Sequence, residues 1–436
     1  MLKKIFKKII VFIITLEARL VLKKYKPKII AVTGSAGKTS TKDAIAVVLK
    51  SKLSVRKSHK SFNSEVGVPL TVLGCKNGWL NFFVWLNNIV VGLKLIMFKS
   101  DYPEWLVLEL GVERPKDMER LVSWVKPHIA VVTTLSETPS HVEFFPNPGL
   151  LIKEKSKILK NLEKSDYAIL NNDNDLVLDL KNKTKARIVT YGFSQDADLI
   201  ASNYHIISKP KAGLKTVPEG IAFKVDSGGS SVPVRLFNVF GKHHVHSVLA
   251  AIAVGKTAGL NFVDMLEALY SYQSPPGRFK MFGGVKNSFI IDDTYNSSPI
   301  ALRSALETLG DVQESRKIVV LGDMLELGKY TIEAHKAIAE NIIDAGVEIV
   351  FVVGPRAKFI AESLREKGFN KDDIFEFSTA NEAKKKVEEI IREGDIVLVK
   401  GSQSMRMERV VEEIMAEPQN KEKLLVRQEK EWLAKP

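Results

Sequence analysis

The chain has 436 residues, 45% of them hydrophobic and 26% charged, with a single cysteine, Cys75. That composition is globular, the length calls for two or three domains, and one cysteine excludes both a disulfide framework and a cysteine-cluster zinc site. Net charge is +13, but nine cations against one anion in residues 1–28 put +8 of it in a short leader. The rest has no arginine-rich or aromatic-interleaved stretch, so no nucleic-acid partner is expected.

The leader reads as a basic amphipathic helix. Leu2, Ile5, Phe6, Ile9, Ile13, Leu16 and Leu20 fall at helical spacing, with Lys3, Lys4, Lys7 and Lys8 off that face. Glu17 and Arg19 interrupt the apolar run well short of the roughly 20 residues that a membrane span needs. No small-residue cleavage site follows, which argues against export. Two placements fit: a peripheral helix on the anionic inner face of a membrane, or a helix docked on its own protein.

From Lys28 to about Tyr272, apolar strands (Ile29–Thr33, Trp105–Leu110, Ile129–Thr133, Tyr167–Leu170) alternate with helices such as Thr39–Lys50 and Lys116–Val125. Such alternation implies βαβ units and a mainly parallel sheet. Within it, Trp79–Phe98 is apolar but broken by Asn81, Asn87, Asn88 and Lys94, and reads as a buried or interfacial helix. Ala197–Phe240, punctuated by glycine and proline, reads as short antiparallel strands inserted late in the domain. Ser274-Pro275-Pro276-Gly277-Arg278 must turn the chain, separating a unit at 29–273 from one at 274–436. Strands then restart at Phe289–Asp292, Lys317–Leu321, Ile349–Val353 and Ile396–Lys400, as in a Rossmann-like α/β domain. The Lys- and Glu-rich tail after Glu417 is expected to fray.

One motif carries chemistry by itself. Thr33-Gly34-Ser35-Ala36-Gly37-Lys38-Thr39-Ser40 follows an apolar strand and opens a helix, the context a phosphate loop requires. Its glycines let backbone N–H groups approach phosphate oxygens, and the helix N-terminus adds positive potential. Lys38 would neutralise the β- and γ-phosphates of ATP; Thr39, or its neighbour Ser40, would ligate Mg²⁺. Five positions before Gly37 stands Val32 rather than glycine, so the loop has a compact TGxxGKT form.

That compact loop resembles the one in the Mur ligase and folylpolyglutamate synthase superfamily. From Lys28 to about Glu413 further segments stand in the order of a MurF-type ligase. They include Phe62–Leu70, Leu108-Glu109-Leu110-Gly111, His141-Val142-Glu143, Glu154-Lys155, Asn171-Asn172-Asp173 and Gly241-Lys242-His243. Pro276-Gly277-Arg278, Asp292–Asn296, Gly322–Gly328 and Lys400-Gly401-Ser402 follow.

The resemblance implies a central ATP-binding domain, a C-terminal Rossmann-like domain, and an ADP-forming amide ligase working through an acyl phosphate. It implies two Mg²⁺ ions, one held by Glu109 with Thr39 and a second by His141. It also implies that Lys155 is carbamylated to N6-carboxylysine, since an ammonium cannot ligate a cation. Arg278 would reach the phosphates on domain closure. His243, His244, Asp293, Tyr295 and Asn296 would meet the nucleotide; Asn63 and Gly67 the acyl substrate; Lys400 and Ser402 the amine substrate or the acyl phosphate. Expected substrates are a nucleotide-linked peptide and a dipeptide, handled by a cytoplasmic monomer.

The sequence departs from the family pattern twice. Full-length members carry an N-terminal domain for the UDP moiety, whereas this chain reaches its phosphate loop at Gly34. UDP is then held differently, a partner supplies the contact, or the acceptor differs and is lipid-linked. Where the family has two asparagines near the adenine, this chain has His244 and Ser247. Competing readings are another ligase of the superfamily and a non-catalytic nucleotide-binding scaffold; retention of Lys38, Glu109, His141 and Lys155 together argues against the scaffold.

Overall fold

The computed structural model describes residues 2–434 except 80, 212–213 and 313–314; side chains of residues 2–7 and 210–217 lie outside the description. The basic leader is α1 (Leu2–Tyr25), followed by β1 (Lys28–Thr33), α2 (Lys38–Lys50), β2 (Val55–Lys57), α3 (Gly67–Leu73) and α4 (Phe82–Met97). Then come β3 (Trp105–Glu109), α5 (Asp117–Val122), β4 (Ile129–Val132), α6 (Pro148–Ser156), β5 (Tyr167–Asn171), α7 (Asp175–Leu178) and β6 (Arg187–Gly192). Three long strands, β7 (Leu199–Lys211), β8 (Leu214–Ser227) and β9 (Ser230–Phe237), precede α8 (Lys242–Thr257) and α9 (Phe262–Leu269).

These strands form one nine-stranded sheet in the order β2-β3-β1-β4-β5-β6-β7-β8-β9. Pairing is parallel from β2 through β7 and antiparallel from β7 to β9. The pleat sends alternate residues to opposite faces. Ile29 and Ala31 enter a core beneath α1, α3 and α4, while Ile30 and Val32 enter a second core beneath α2 and α8. Burial on both faces explains why the parallel strands read as unbroken apolar runs. The stretch read as short inserted strands is instead a pair of long hairpins continuing the same sheet, with bulges between β7 and β8 absorbing the irregular spacing.

After the Ser274–Arg278 turn come β10 (Lys280–Gly283), β11 (Phe289–Asp293), α10 (Pro299–Gly310), β12 (Lys317–Gly322), β13 (Ile349–Val353), β14 (Ile374–Phe377) and β15 (Ile396–Lys400). They make a six-stranded sheet, β10-β11-β15-β12-β13-β14, parallel except for the edge strand β10.

Two expectations fail for packing reasons. The tail does not fray: buried Arg427 donates to the Thr294 and Tyr295 carbonyls and pairs with Glu408 at 3.0 Å, and Leu425 joins a core cluster. The leader does dock, but not through the expected stripe. Ile10, Ile14, Glu17, Ala18 and Val21 are buried, whereas Ile9, Leu16 and Leu20 of the expected face are exposed. Leu2, Ile5 and Phe6 of that stripe lie outside the described side chains. The Trp79–Phe98 stretch contains α4, which buries only Trp85, Asn88 and Gly92. No described helix is long and apolar enough to cross a membrane.

Candidate active site

The phosphate loop takes its shape from the strand beside it. Ser35 N–H donates to the Thr134 carbonyl at 2.6 Å, and Thr133 Oγ1 donates to the Ala36 carbonyl at 2.6 Å. Gly34 has φ +154°, and a Cβ there would lie 2.0 Å from Thr133 Oγ1, so only glycine fits. Gly37, at φ 78°, caps α2 in the left-handed region, which leaves the first N–H groups of the helix pointing into the cleft. Ser35 Oγ is buried there without a hydrogen-bond partner among the described residues, as is His243 Nδ1. Orphaned polar atoms of this kind suit a polar ligand.

Around the loop, Glu109 is the organiser. It ends β3 with 1% exposure, accepting from Thr39 Oγ1 at 2.9 Å on one oxygen and from Asn63 Nδ2 at 2.8 Å on the other. Lys38 and Lys155 both donate to the Gly34 carbonyl. Burial, partly offset by Glu109, lowers the Lys38 pKa; burial and then Lys38 itself pull Lys155 well below the ordinary lysine value. Arg278 bridges the two sheets, with Nη2 donating to Ser61 Oγ at 3.3 Å and its guanidinium 4.0 Å from the Tyr295 ring centre. His141 approaches from a 3₁₀ turn, its Nδ1 2.6 Å from Glu326 Oε2 in the second unit. One cavity of about 1170 Å³ gathers Ser35 to Ser40, Asn63, Glu109, His141, Lys155, His243, Arg278, Asp293, Tyr295, Asn296 and Lys400.

Other expected residues stay out of that wall. Thr33 lies beneath the loop, donating to the Leu110 carbonyl at 2.8 Å. Gly67 is a packing residue: a Cβ there would sit 2.6 Å from Phe62 Cα. His244 is fully buried between Tyr272 and Ser274, and burial takes its pKa down to about 4. Ser402 Oγ accepts from Leu325 N–H at 2.8 Å and so braces the Gly322–Gly328 loop from behind. Lys400 reaches the wall, but its charge is engaged by Asp293 at 2.6 Å and the Asn296 carbonyl at 2.9 Å. Sequence spacing cannot separate a residue that faces a cleft from its neighbour that supports it.

The same constellation has relatives. Residues 32–85 and 86–255 match the Mur ligase middle domain, and residues 277–403 match the Mur ligase glutamate ligase domain. The chain belongs to the Mur ligase family. It is an ATP-dependent, ADP-forming ligase with that family's multi-domain α/β fold. This Mur ligase is 28% identical over 402 residues to the UDP-N-acetylmuramoyl-tripeptide–D-alanyl-D-alanine ligase of Bacillus subtilis, covering 92% of this chain and 79% of that one. The Escherichia coli enzyme of the same name is 28% identical over 389 residues, 88% of this chain and 76% of that one. Among solved structures, the MurF ligase of Thermotoga maritima in complex with ADP superposes with a TM-score of 0.74 at 25% identity, covering 93% of this chain and 83% of that chain.

Several residues of this Mur ligase cleft went unassigned from sequence. His246 Nε2 lies 2.7 Å from Asp173 Oδ2, and both line the cavity beside Asn171 and Asn174. The Asn171-Asn172-Asp173 segment was the available signal. Arg19, Arg114 and Arg120 add cationic wall that no motif marks. Among the described residues no group of three His, Cys, Asp or Glu forms a metal site.

Proposed function

We propose that this enzyme adds D-alanyl-D-alanine to a UDP-N-acetylmuramoyl tripeptide in the making of peptidoglycan precursors. The observation that carries the reading is the convergence of Lys38, Thr39, Glu109, Lys155 and Arg278 on one cavity walled by both sheets. The tripeptide's terminal carboxylate attacks the γ-phosphorus of ATP, ADP leaves, and an acyl phosphate forms. The dipeptide's neutral amine then attacks the acyl carbon; phosphate departs, one proton is lost from nitrogen, and an amide remains.

Lys38 and the α2 N-terminus take the phosphate charge, and Arg278 adds a cation from the second unit. Thr39 and Glu109 would hold one Mg²⁺, and His141 with a carbamylated Lys155 a second; bound metal would neutralise the charge building on the phosphoryl oxygens. Lys155 suits carbamylation because burial favours its neutral amine, the form that adds to CO₂. His246, Asp173 and His243 lie where they could meet the base and ribose, and Asn63 and Arg120 where they could meet the acyl substrate. Dependence on ATP supports the cytoplasm, and the basic leader supports a position at the inner face of the membrane.

Phosphate release is the direct test, with ATP, the UDP-muramoyl tripeptide and D-Ala-D-Ala present and each acceptor omitted in turn. Full release is expected only with all three. Release indifferent to both acceptors would remove this assignment and leave the family membership standing.

A further inference from the structure

Helices α1 and α4 lie against each other on the outer face of the nine-stranded sheet. A Cβ on Gly92 of α4 would sit 2.3 Å from Glu17 Oε2 of α1. Lys24 Nζ donates to the Leu95 and Ile96 carbonyls at 2.9 and 3.0 Å, and Tyr25 Oη to the Phe98 carbonyl at 3.1 Å. The pair is therefore anchored along its length and tied off at one end.

Each helix turns an apolar stripe outward. On α1 the stripe is Ile9, Phe12, Leu16 and Leu20, exposed by 42% to 70%. On α4 it is Phe83, Leu86, Val90, Leu93 and Met97, from 40% to 77% exposed and spaced by three and four residues along one face. Single exposed apolar residues are ordinary, but two neighbouring stripes of this length imply an apolar partner.

The surrounding charge says which partner. Among the described residues of the two helices the only acid is Glu17, and it is buried. Lys8, Lys23, Lys24 and Lys94 are exposed around the stripes, with Lys26 and Lys99 at the tied-off end, where Asp101 is the nearest acid in sequence. Apolar faces rimmed by lysines and free of exposed acid match an anionic lipid surface, where each lysine adds attraction to the headgroups. Insertion across the bilayer is not the reading, because α4 has 16 residues and no described helix is long and apolar enough.

Helix α1 also connects this face to the chemistry. Val11, Thr15 and Arg19 line the active-site cavity, while Phe12, Leu16 and Leu20, each one residue on, belong to the outward stripe. One side of the helix faces the cleft and the adjoining side faces outward.

We propose that the α1–α4 pair is a docking platform for an anionic bilayer, seating the enzyme peripherally with its cleft opening beside the headgroup layer. This deepens the membrane-face reading above and does not depend on the choice of ligase substrates.

The test is co-sedimentation of the full chain with vesicles of phosphatidylcholine alone or with about a third phosphatidylglycerol. Pelleting is expected with the anionic vesicles and should fall roughly tenfold with neutral ones or at high salt. Phe83→Glu with Leu93→Glu should reduce anionic pelleting roughly tenfold while leaving thermal unfolding and acceptor-dependent phosphate release in solution unchanged. Should that pair fail to fold, Lys23→Glu with Lys94→Glu leaves the packing alone and should abolish the preference for anionic lipid. A chain that stays in the supernatant, or pelleting indifferent to the substitutions, overturns the proposal. So does a dimer in light scattering that Phe83→Glu dissociates, since a second copy would then own the face. None of these outcomes bears on the substrate assignment, which phosphate release reads separately.

Discussion

Lys38 and Lys155 share one acceptor: their Nζ atoms lie 2.9 and 3.0 Å from the carbonyl oxygen of Gly34. Two ammonium groups this close in a buried site repel, and the strain falls on Lys155, whose pKa burial and Lys38 pull well down. Lys38 keeps more of its charge because Glu109 supports it. The arrangement favours the charged form at Lys38 relative to Lys155, and the neutral amine, the form that adds to CO₂, at Lys155.

Lys155→Arg is therefore expected to lower kcat by about a hundredfold or more, since a guanidinium cannot form the carbamate. Wild-type turnover should drop in CO₂-stripped buffer and recover on adding bicarbonate. Turnover by the arginine variant within a few-fold of wild type would show that no carbamate is needed.

Glu326 crosses from the second unit to His141, and that close contact holds its carboxyl below the usual glutamate range. A lowered folded pKa means that the contact contributes above the unfolded value of about 4.5 and is lost as pH falls through the folded one. Glu326→Ala should loosen closure and admit water to the acyl phosphate. The ratio of phosphate released to amide formed is expected to rise above one, and a ratio still at one would separate this contact from closure.

Among the described residues Glu17 has no hydrogen-bond partner on either oxygen, and burial raises its pKa to about 7. Between about 4.5 and about 7 the unfolded chain has lost this proton and the folded chain has kept it, so stability falls as pH rises across that window. Glu17→Gln should flatten the slope and be more stable than wild type by about 1–2 kcal/mol near pH 8, with little difference near pH 4. Urea denaturation at the two pH values measures it; parallel curves would place the carboxylate in water.

Arg427 is 5% exposed and ties the tail to Thr294, Tyr295 and Glu408. Arg427→Ala leaves Glu408 buried without that partner and should cost about 3 kcal/mol of stability. It should also weaken nucleotide binding, because Tyr295, whose carbonyl it holds, lines the cleft. An unchanged urea midpoint would return the tail to the status of a loose end.

The phosphate loop, the strand alternation and the turn at Ser274–Arg278 were legible in the sequence because each is local. Glycine conformation, the two-residue pleat and proline geometry act within a few residues. The place of Glu109 beside the loop was legible too, since it ends an apolar parallel strand next to the one that feeds the loop. What the chain order could not decide is which of two adjacent residues looks into the cleft. His243 faces it and His244 does not; Arg278 reaches Ser61, 217 positions away. The leader makes the same point. Its apolar residues outnumber what one face can bury, and periodicity alone selected the wrong stripe. Only the packing of Ile14, Ala18 and Val21 beneath α3 and α4 settled which face was core, because burial is a property of the neighbours a helix finds and not of its own spacing.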